Sequence, residues 1–455
     1  MKNEKMLREG SVGRLLLSMS LPVILVMMVN VIYNMADVFF LGKTGDVVQV
    51  AAVSLAGPLF AAFSAINTLL GFGACTASSM ALGRGEGKKI PQYASFALFA
   101  ALFLGLIILA AVWLFTVPLL NLLGAKGEMA PYTAEYLRVF SLGAPFMIAA
   151  GALGNVLRAD GGSKEAVLAS MTGTCLNIIL DPLLISGLRM GVLGAALATD
   201  IGNCVAFIAV LAAAKKKGIR LGAKHFTLRR DVSLHVLSLG LPMAAGTLLM
   251  SFSGTFANRL LVGFGSDAVA AHSVAGKAGM LVSMLVMGLC MGVQPAVSYA
   301  YGQGNRQRLK KIVLGTAFYA VLVGAVLSAV FVLLRRQFVG MFLDTPAVID
   351  IGESMVIAGL ATAAVSGIYQ MCQVYLQGTG KVSFATFTAL LQKGIVYIPV
   401  LYLMHAFSGL AGLIWSGAVT DVIATAVGIL LCLVWNRQMK RNESNSCAAS
   451  SLASA

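Results

Sequence analysis

Leu17–Pro22 reads LSMSLP, and 220 residues later Leu237–Pro242 reads LSLGLP. The correspondence runs outward from these two prolines with one-residue slips. Ala51, Ala52 and Ser54 fall on Ala270, Ala271 and Ser273. Gly83, Gly85, Lys88 and Lys89 of GRGEGKK then meet Gly302, Gly304, Gln307 and Arg308 of GQGNRQR at an offset of 219. Leu157 and Gly161 meet Leu376 and Gly380, and Gly194 meets Gly412 at an offset of 218. The 455-residue chain is therefore two tandem copies of one body.

What kind of body follows from hydropathy. The chain is 58% hydrophobic and 11% charged, with mean hydropathy +0.87, and apolar runs of about 20 residues recur from end to end. A water-soluble globule cannot hold that composition. The expected fold class is an all-α integral membrane protein, with twelve transmembrane helices in two pseudo-symmetric six-helix bundles. The first six spans are read as Leu15 to Leu41, Ala51 to Leu82, Tyr93 to Val117, Tyr132 to Leu157, Glu165 to Ser186 and Gly194 to Ala214. The second six are His235 to Val262, Ala268 to Ala300, Lys310 to Leu334, Ala347 to Leu376, Phe384 to Ala406 and Leu410 to Trp435. Six spans per copy is an even number, so both copies enter the membrane from one side and are related by an axis along its normal. The expected organisation is an N-terminal bundle at 1–214, a cytoplasmic linker at 215–234, a C-terminal bundle at 235–435 and a disordered cytoplasmic tail at 436–455.

The net charge of +15 lies in the connections. One set of alternating connections holds Lys2, Lys5, Arg8, Arg14, Arg84, Lys88, Lys89, Arg158, Lys164, the Lys215 to Arg230 run, Arg306, Arg308, Lys310, Lys311, Lys381, Arg437, Lys440 and Arg441. The other set holds only Lys43, Lys126, Arg189, Arg335 and Arg336. The positive-inside rule then puts both termini in the cytoplasm of a multi-pass protein of the cell (plasma or inner) membrane. The basic charge is thus accounted for by topology, with no nucleic-acid partner. Seven cysteines, mostly within apolar runs and without a CxxC pair, read as small core residues.

An acid near the bilayer centre costs about 2.5 to 3.5 kcal/mol on insertion scales, so one that persists has a partner or a purpose. The first copy carries three such acids, Asp37, Asp181 and Asp200. Asn30, Tyr33 or Asn34, and Asp37 fall on one helical stripe, and Asn177 and Asp181 share a face one turn apart. Thr199 adjoins Asp200, so only one of the two points fully at a given neighbour. Pro182 follows Asp181 and is expected to bend the helix and loosen a carbonyl. A carboxylate, an amide oxygen, a hydroxyl and a carbonyl suit a small hard cation, while a desolvated carboxylate equally suits a proton; both Na+ and H+ remain open. The second copy places Asn258 or Ala257, Ile398 or Val400, and Ala418 at these acids, and carries Arg259, Lys277, Lys393 and Asp421 instead.

YNMADVFFLG (Tyr33 to Gly42), LRADGGSK (Leu157 to Lys164), NIILDP (Asn177 to Pro182) and QPAVSYAYGQGN (Gln294 to Asn305) together resemble the multidrug and toxic compound extrusion family. The acids of the first copy resemble its DNA-damage-inducible branch. That resemblance implies a cation site in the N-terminal bundle at Asp37, Asn177, Asp181 and Thr199, the metal ligands if Na+ is the ion. It further implies a substrate cavity at Asn155 and Tyr33, to which Asn30, Asn34 and Asp200 are added as polar residues of the same spans. The family's other branch uses acids in the seventh and tenth spans, where this chain has Met250 and Ser366. The function implied is export of amphipathic, often cationic organic compounds in exchange for H+ or Na+ by alternating access, without a cofactor and as a monomer in the lipid bilayer.

A flippase for lipid-linked oligosaccharide or a related lipid precursor is the alternative, favoured by Lys393 and Arg259. A membrane-embedded enzyme is disfavoured. His225, His235, His272 and His405 are scattered, no HExxH or GxSxG occurs, and the phosphate-loop pattern fails in both GRGEGKK and GTGKVS.

Overall fold

The computed structural model describes residues 10–29, 40, 46–343 and 345–453. Among them no strand occurs, and nearly every apolar run is helical. In the first half the spans are Val12–Val29, Val48–Gly83, Gly87–Leu114, the pair Met129–Leu142 and Ala144–Ala159 bent by 46°, Ser163–Gly187 and Gly191–Lys216. In the second half they are Arg230–Val262, Ser266–Gly302, Arg306–Leu333, Val348–Gly378 and the 60-residue Val382–Arg441. At about 1.5 Å per residue that last segment is roughly three bilayer cores long. Gly409, at φ 55° and ψ −129°, leaves the helical region and divides it into an eleventh and a twelfth span. The fold is all-α, with twelve membrane-crossing helices as the apolar runs require. The first span's expected continuation to Leu41 lies mostly outside the described residues.

The duplication is visible in backbone detail. Gly85 and Gly304 (φ 76° and 72°) turn the chain after the second and eighth spans, and Gly161 and Gly380 (φ 73° and 75°) after the fourth and tenth. These left-handed conformations carry little cost only for glycine. The fourth span breaks at Gly143, and the tenth breaks between Leu360 and Ala363, the repeat-equivalent place. After Asp181 the helix widens into a π-turn, Pro182–Gly187. Proline has no N–H to donate, and the wider turn absorbs the disruption. The eleventh span has its own π-turn, Leu391–Ile395, carrying Lys393.

The chain packs as two compact units, Met1–Ser251 with Met291–Ile312, and Phe252–Cys290 with Val313–Ala455. This division falls elsewhere than residues 215–234. In the first unit the start of the seventh span and the end of the eighth lie against the second span through glycines. A Cβ on Gly73 or Gly240 would overlap the carbonyl of Val236 or Leu69, and one on Gly83 or Gly302 that of Tyr299 or Met80. Residues 217–229 are irregular and lie on the third span. Gly222 N donates to Ser95 Oγ (3.3 Å), Phe226 meets Phe99 edge-on (5.4 Å), and Lys217 pairs with Glu165 of the fifth span (2.6 Å).

In the second unit Trp435 Nε1 donates to Thr379 Oγ1 (2.9 Å), and Lys381 Nζ lies over the Trp435 ring (4.9 Å). The polar tail, expected to be disordered, continues this helix to Ala453. Arg, Gln, Met, Lys and Glu after Trp435 are good helix formers, and no glycine or proline follows Gly428 to stop them.

The glycine contacts make a direct prediction. Gly83→Ala and Gly302→Ala should each destabilise the protein by about 1–3 kcal/mol through overpacking. Gly276→Ala, whose Cβ meets open space, should not lower stability. Thermal unfolding midpoints in one detergent compare the three.

Candidate functional site

The site starts from two glycines. Gly173 of the fifth span and Gly202 of the sixth face each other, and a Cβ on Gly202 would sit 2.8 Å from the Gly173 carbonyl oxygen. Such an approach leaves no room for larger residues, and it brings Thr199 within reach of the Asn177–Asp181 face. Asn177 Nδ2 donates to Asp181 Oδ1 (3.5 Å) and to Thr199 Oγ1 (3.4 Å). All three are buried, Asp181 completely. These are long bonds, near the limit of the interaction, and Asn177 Oδ1 has no partner among the described residues. An amide, a hydroxyl and a carboxylate thus converge in one buried place; the amide turns its nitrogen to the other two, and a flip of its plane would present the oxygen instead. That donor set fits a small hard cation or a proton held on the carboxylate. Among the described residues no group of three or more His, Cys, Asp or Glu is placed to hold a metal.

Asn177 and Thr199 also form part of the wall of a cavity of about 440 Å3 within the first unit. Its size falls in the range of small-molecule sites, about 300–1,000 Å3. Val23 of the first span, Phe60 and Asn67 of the second, and Met147 of the fourth supply an apolar body with polar points. Asn155 lines it as well, with Nδ2 donating to the Gly151 carbonyl (3.0 Å). Asp181 does not line it; the carboxylate lies behind Asn177 and Thr199.

Four expected residues, Asn30, Tyr33, Asn34 and Asp37, lie outside the described residues. Asp200 was grouped with the cavity, and here the structure differs. Its carboxylate lies against the Gly143 backbone at the break of the fourth span, and it is not part of this cavity's wall. Successive helical residues are about 100° apart, so with Thr199 turned to the fifth span Asp200 faces the fourth. Arg158, counted above with the loop charges, is instead buried in the last turn of the fourth span and lines the cavity. A signal for it was present in the repeat, which sets the neutral Gln377 in its place.

The second unit has a polar cluster of its own. Asp421 accepts from Thr362 Oγ1 (3.1 Å) and Gln392 Nε2 (2.8 Å), and the Lys393 carbonyl accepts from the Ser253 hydroxyl. Arg259 and Lys277 are exposed, as snorkelling side chains are, with Lys277 Nζ 4.5 Å from the Phe342 ring centroid. Met250 is exposed, and Ser366 Oγ donates to its own helix at Ala363 O (2.8 Å). Neither offers the acid that a cation site there would need.

The MatE family model matches the chain twice, over residues 22–183 and 242–403, the spacing of the duplication. The chain belongs to the MatE family. The multidrug export protein MepA of Staphylococcus saprophyticus is 30% identical over 435 residues, covering 95% of this chain and 96% of that one. MepA of Staphylococcus aureus is 30% identical over 436 residues, with the same coverage. Among solved structures, a MOP superfamily transporter from Pyrococcus furiosus, described as having a binding pocket of reverse polarity and a different function, superposes with a TM-score of 0.87. It is 25% identical and covers 96% of this chain and 98% of that one. A multidrug resistance MATE family transporter in an outward-facing conformation superposes at 0.90 over 97% of this chain and 99% of its own, at 24% identity. That last likeness speaks to the fold. Membership in a family of transporters sets the enzyme reading aside.

The layering of the site is testable by labelling. With the seven native cysteines replaced, Asn155→Cys should react with a small methanethiosulfonate at least about tenfold faster than Asp181→Cys, because only the first lines the cavity. Equal rates would contradict the placement of Asp181.

Proposed function

We propose that this protein is a secondary active multidrug exporter that expels amphipathic, often cationic organic compounds in exchange for H+ or Na+. The observation that carries the reading is the convergence of Asn177 and Thr199, in the wall of a cavity of organic-ligand size, with Asp181 directly behind them. The names of the MepA relatives support the substrate class.

The arrangement suits coupling by shared groups. An ion or proton arriving at Asp181 competes for the weak bonds from Asn177, and Asn177 and Thr199 are themselves cavity wall. Occupancy of the ion site therefore changes the surface that a solute meets, and each ligand biases a different state through differential affinity. Asp37 belongs to the same proposed cation site, with Tyr33, Asn30 and Asn34 toward the solute and Asp200 as a further acid of the sixth span. One charge entering down a 100 mV potential supplies about 2.3 kcal/mol, enough for roughly a fiftyfold solute gradient.

Alternating access in this reading is a motion of two six-helix bundles, 1–214 and 235–435, joined by the 215–234 linker, with both termini in the cytoplasm. Coupling lies in the N-terminal bundle, in keeping with the resemblance to the DNA-damage-inducible branch. The carrier works as a monomer in the cell membrane and needs no cofactor beyond its coupling ion. Lys393 and Arg259 favour the alternative, a flippase for lipid-linked precursors. Arg259 is exposed and the second unit's acid Asp421 lies on the element that packs with Lys393, which weakens that reading.

Proteoliposomes with Na+ and pH gradients imposed separately identify the ion and test the class, with ethidium and a lipid-linked precursor as the two cargoes. Asp181→Asn and Asp37→Asn should each reduce gradient-driven ethidium export by at least about tenfold at normal expression. Met250→Ala and Ser366→Ala should retain it. Full coupling in either Asp variant would remove that residue from the mechanism.

A further inference from the structure

Among the described residues that line the cavity of the first unit, Arg158 alone carries a charge. It is 8% exposed. Nη2 donates to the neutral Asn155 Oδ1 (2.5 Å), and the guanidinium carbon lies 5.2 Å from the Phe72 ring centroid. A guanidinium has five N–H donors. Among the described residues no further hydrogen bond engages this one, and no carboxylate lies within 4.0 Å of it. The carbonyl end of its own helix and the Phe72 face make the charge tolerable. Neither is a counter-charge, the described residues supply none at ion-pair distance, and a buried cation without one is costly.

The turn itself does not demand a cation. In the second copy the equivalent turn at Gly380 has the same left-handed conformation, and the equivalent side chain, Gln377, is 1% exposed and neutral. A hydrogen-bonding residue therefore suffices to close this helix end. The positive charge belongs to the copy in which this position lines the cavity described above.

We propose that Arg158 is the anion-recognising end of the cavity and takes the carboxylate of an amphipathic organic acid or zwitterion. The planar fork of donors matches a carboxylate bidentately, while Val23, Phe60 and Met147 accept the hydrocarbon body. Organic carboxylates join the cations as cargo. This rests on the reading above that solutes occupy this cavity, and it names one class of them.

The probes are 1-naphthylacetate and its methyl ester, which differ only in the charge, titrated at pH 7 against the full chain in lipid nanodiscs. The wild type should bind the acid at least about tenfold more tightly than the ester. Arg158→Gln should bring the acid-to-ester ratio to about one, and Arg158→Lys should retain part of the preference. A wild-type ratio near one overturns the proposal, and decides it even if Arg158→Gln cannot be purified folded. Parallel loss of acid and ester in Arg158→Gln, with the ratio kept, also overturns it, since that marks a structural residue. Gradient-driven ethidium export by wild-type proteoliposomes separates the two ideas. Export with a ratio near one sinks the carboxylate site alone. A strong acid preference without any gradient-driven export sinks the exporter reading and leaves the site standing.

Discussion

Inside a bilayer no water stands ready to satisfy a polar group, so the protein must bring partners together itself. In the first unit it does so by removing side chains. Gly173 and Gly202 let the fifth and sixth spans close until Thr199 and Asn177 touch, and everything at the candidate cation site depends on that approach. The same device holds the second span against the seventh and eighth at Gly73, Gly240, Gly83 and Gly302. Small residues at helix crossings are the membrane's substitute for a hydrophobic driving force.

The resulting bonds are short on strength where strength would be unhelpful. Asn177 reaches both its partners at long range, and one of its atoms has no partner among the described residues. A tightly satisfied triad would be inert. A loose one would keep affinity for an arriving ion under the proposed function, and two of its members, Asn177 and Thr199, are at the same time cavity wall. Arg158, in the last turn of the fourth span, would apply the same logic with the opposite sign under the proposal above.

Much of this was legible in the residues. The spans and the duplication follow from apolar length and from paired glycines such as Gly85 and Gly304, because both are local properties of the chain. The Asn177–Asp181 pairing was equally legible, since a spacing of four fixes a shared helical face. Thr199's contact was not, for it is decided by how closely two helices pack. Asp200 differs for a related reason: adjacent residues in a helix point to different helices in space. Hydropathy places any Arg at a span's end outside, and only packing reveals that Arg158 turns inward. The breaks at Gly143 and Thr362 hide within runs whose hydropathy is continuous.

In the second unit the Trp435 indole is bonded to Thr379 and capped by Lys381. An indole fixed this way is a draught mark, registering how deep the twelfth helix rides. Sliding that helix along the bilayer normal by itself would break both contacts. A piston-like stroke keeps them only when the neighbouring turn travels too, whereas a tilt about that point can leave them intact.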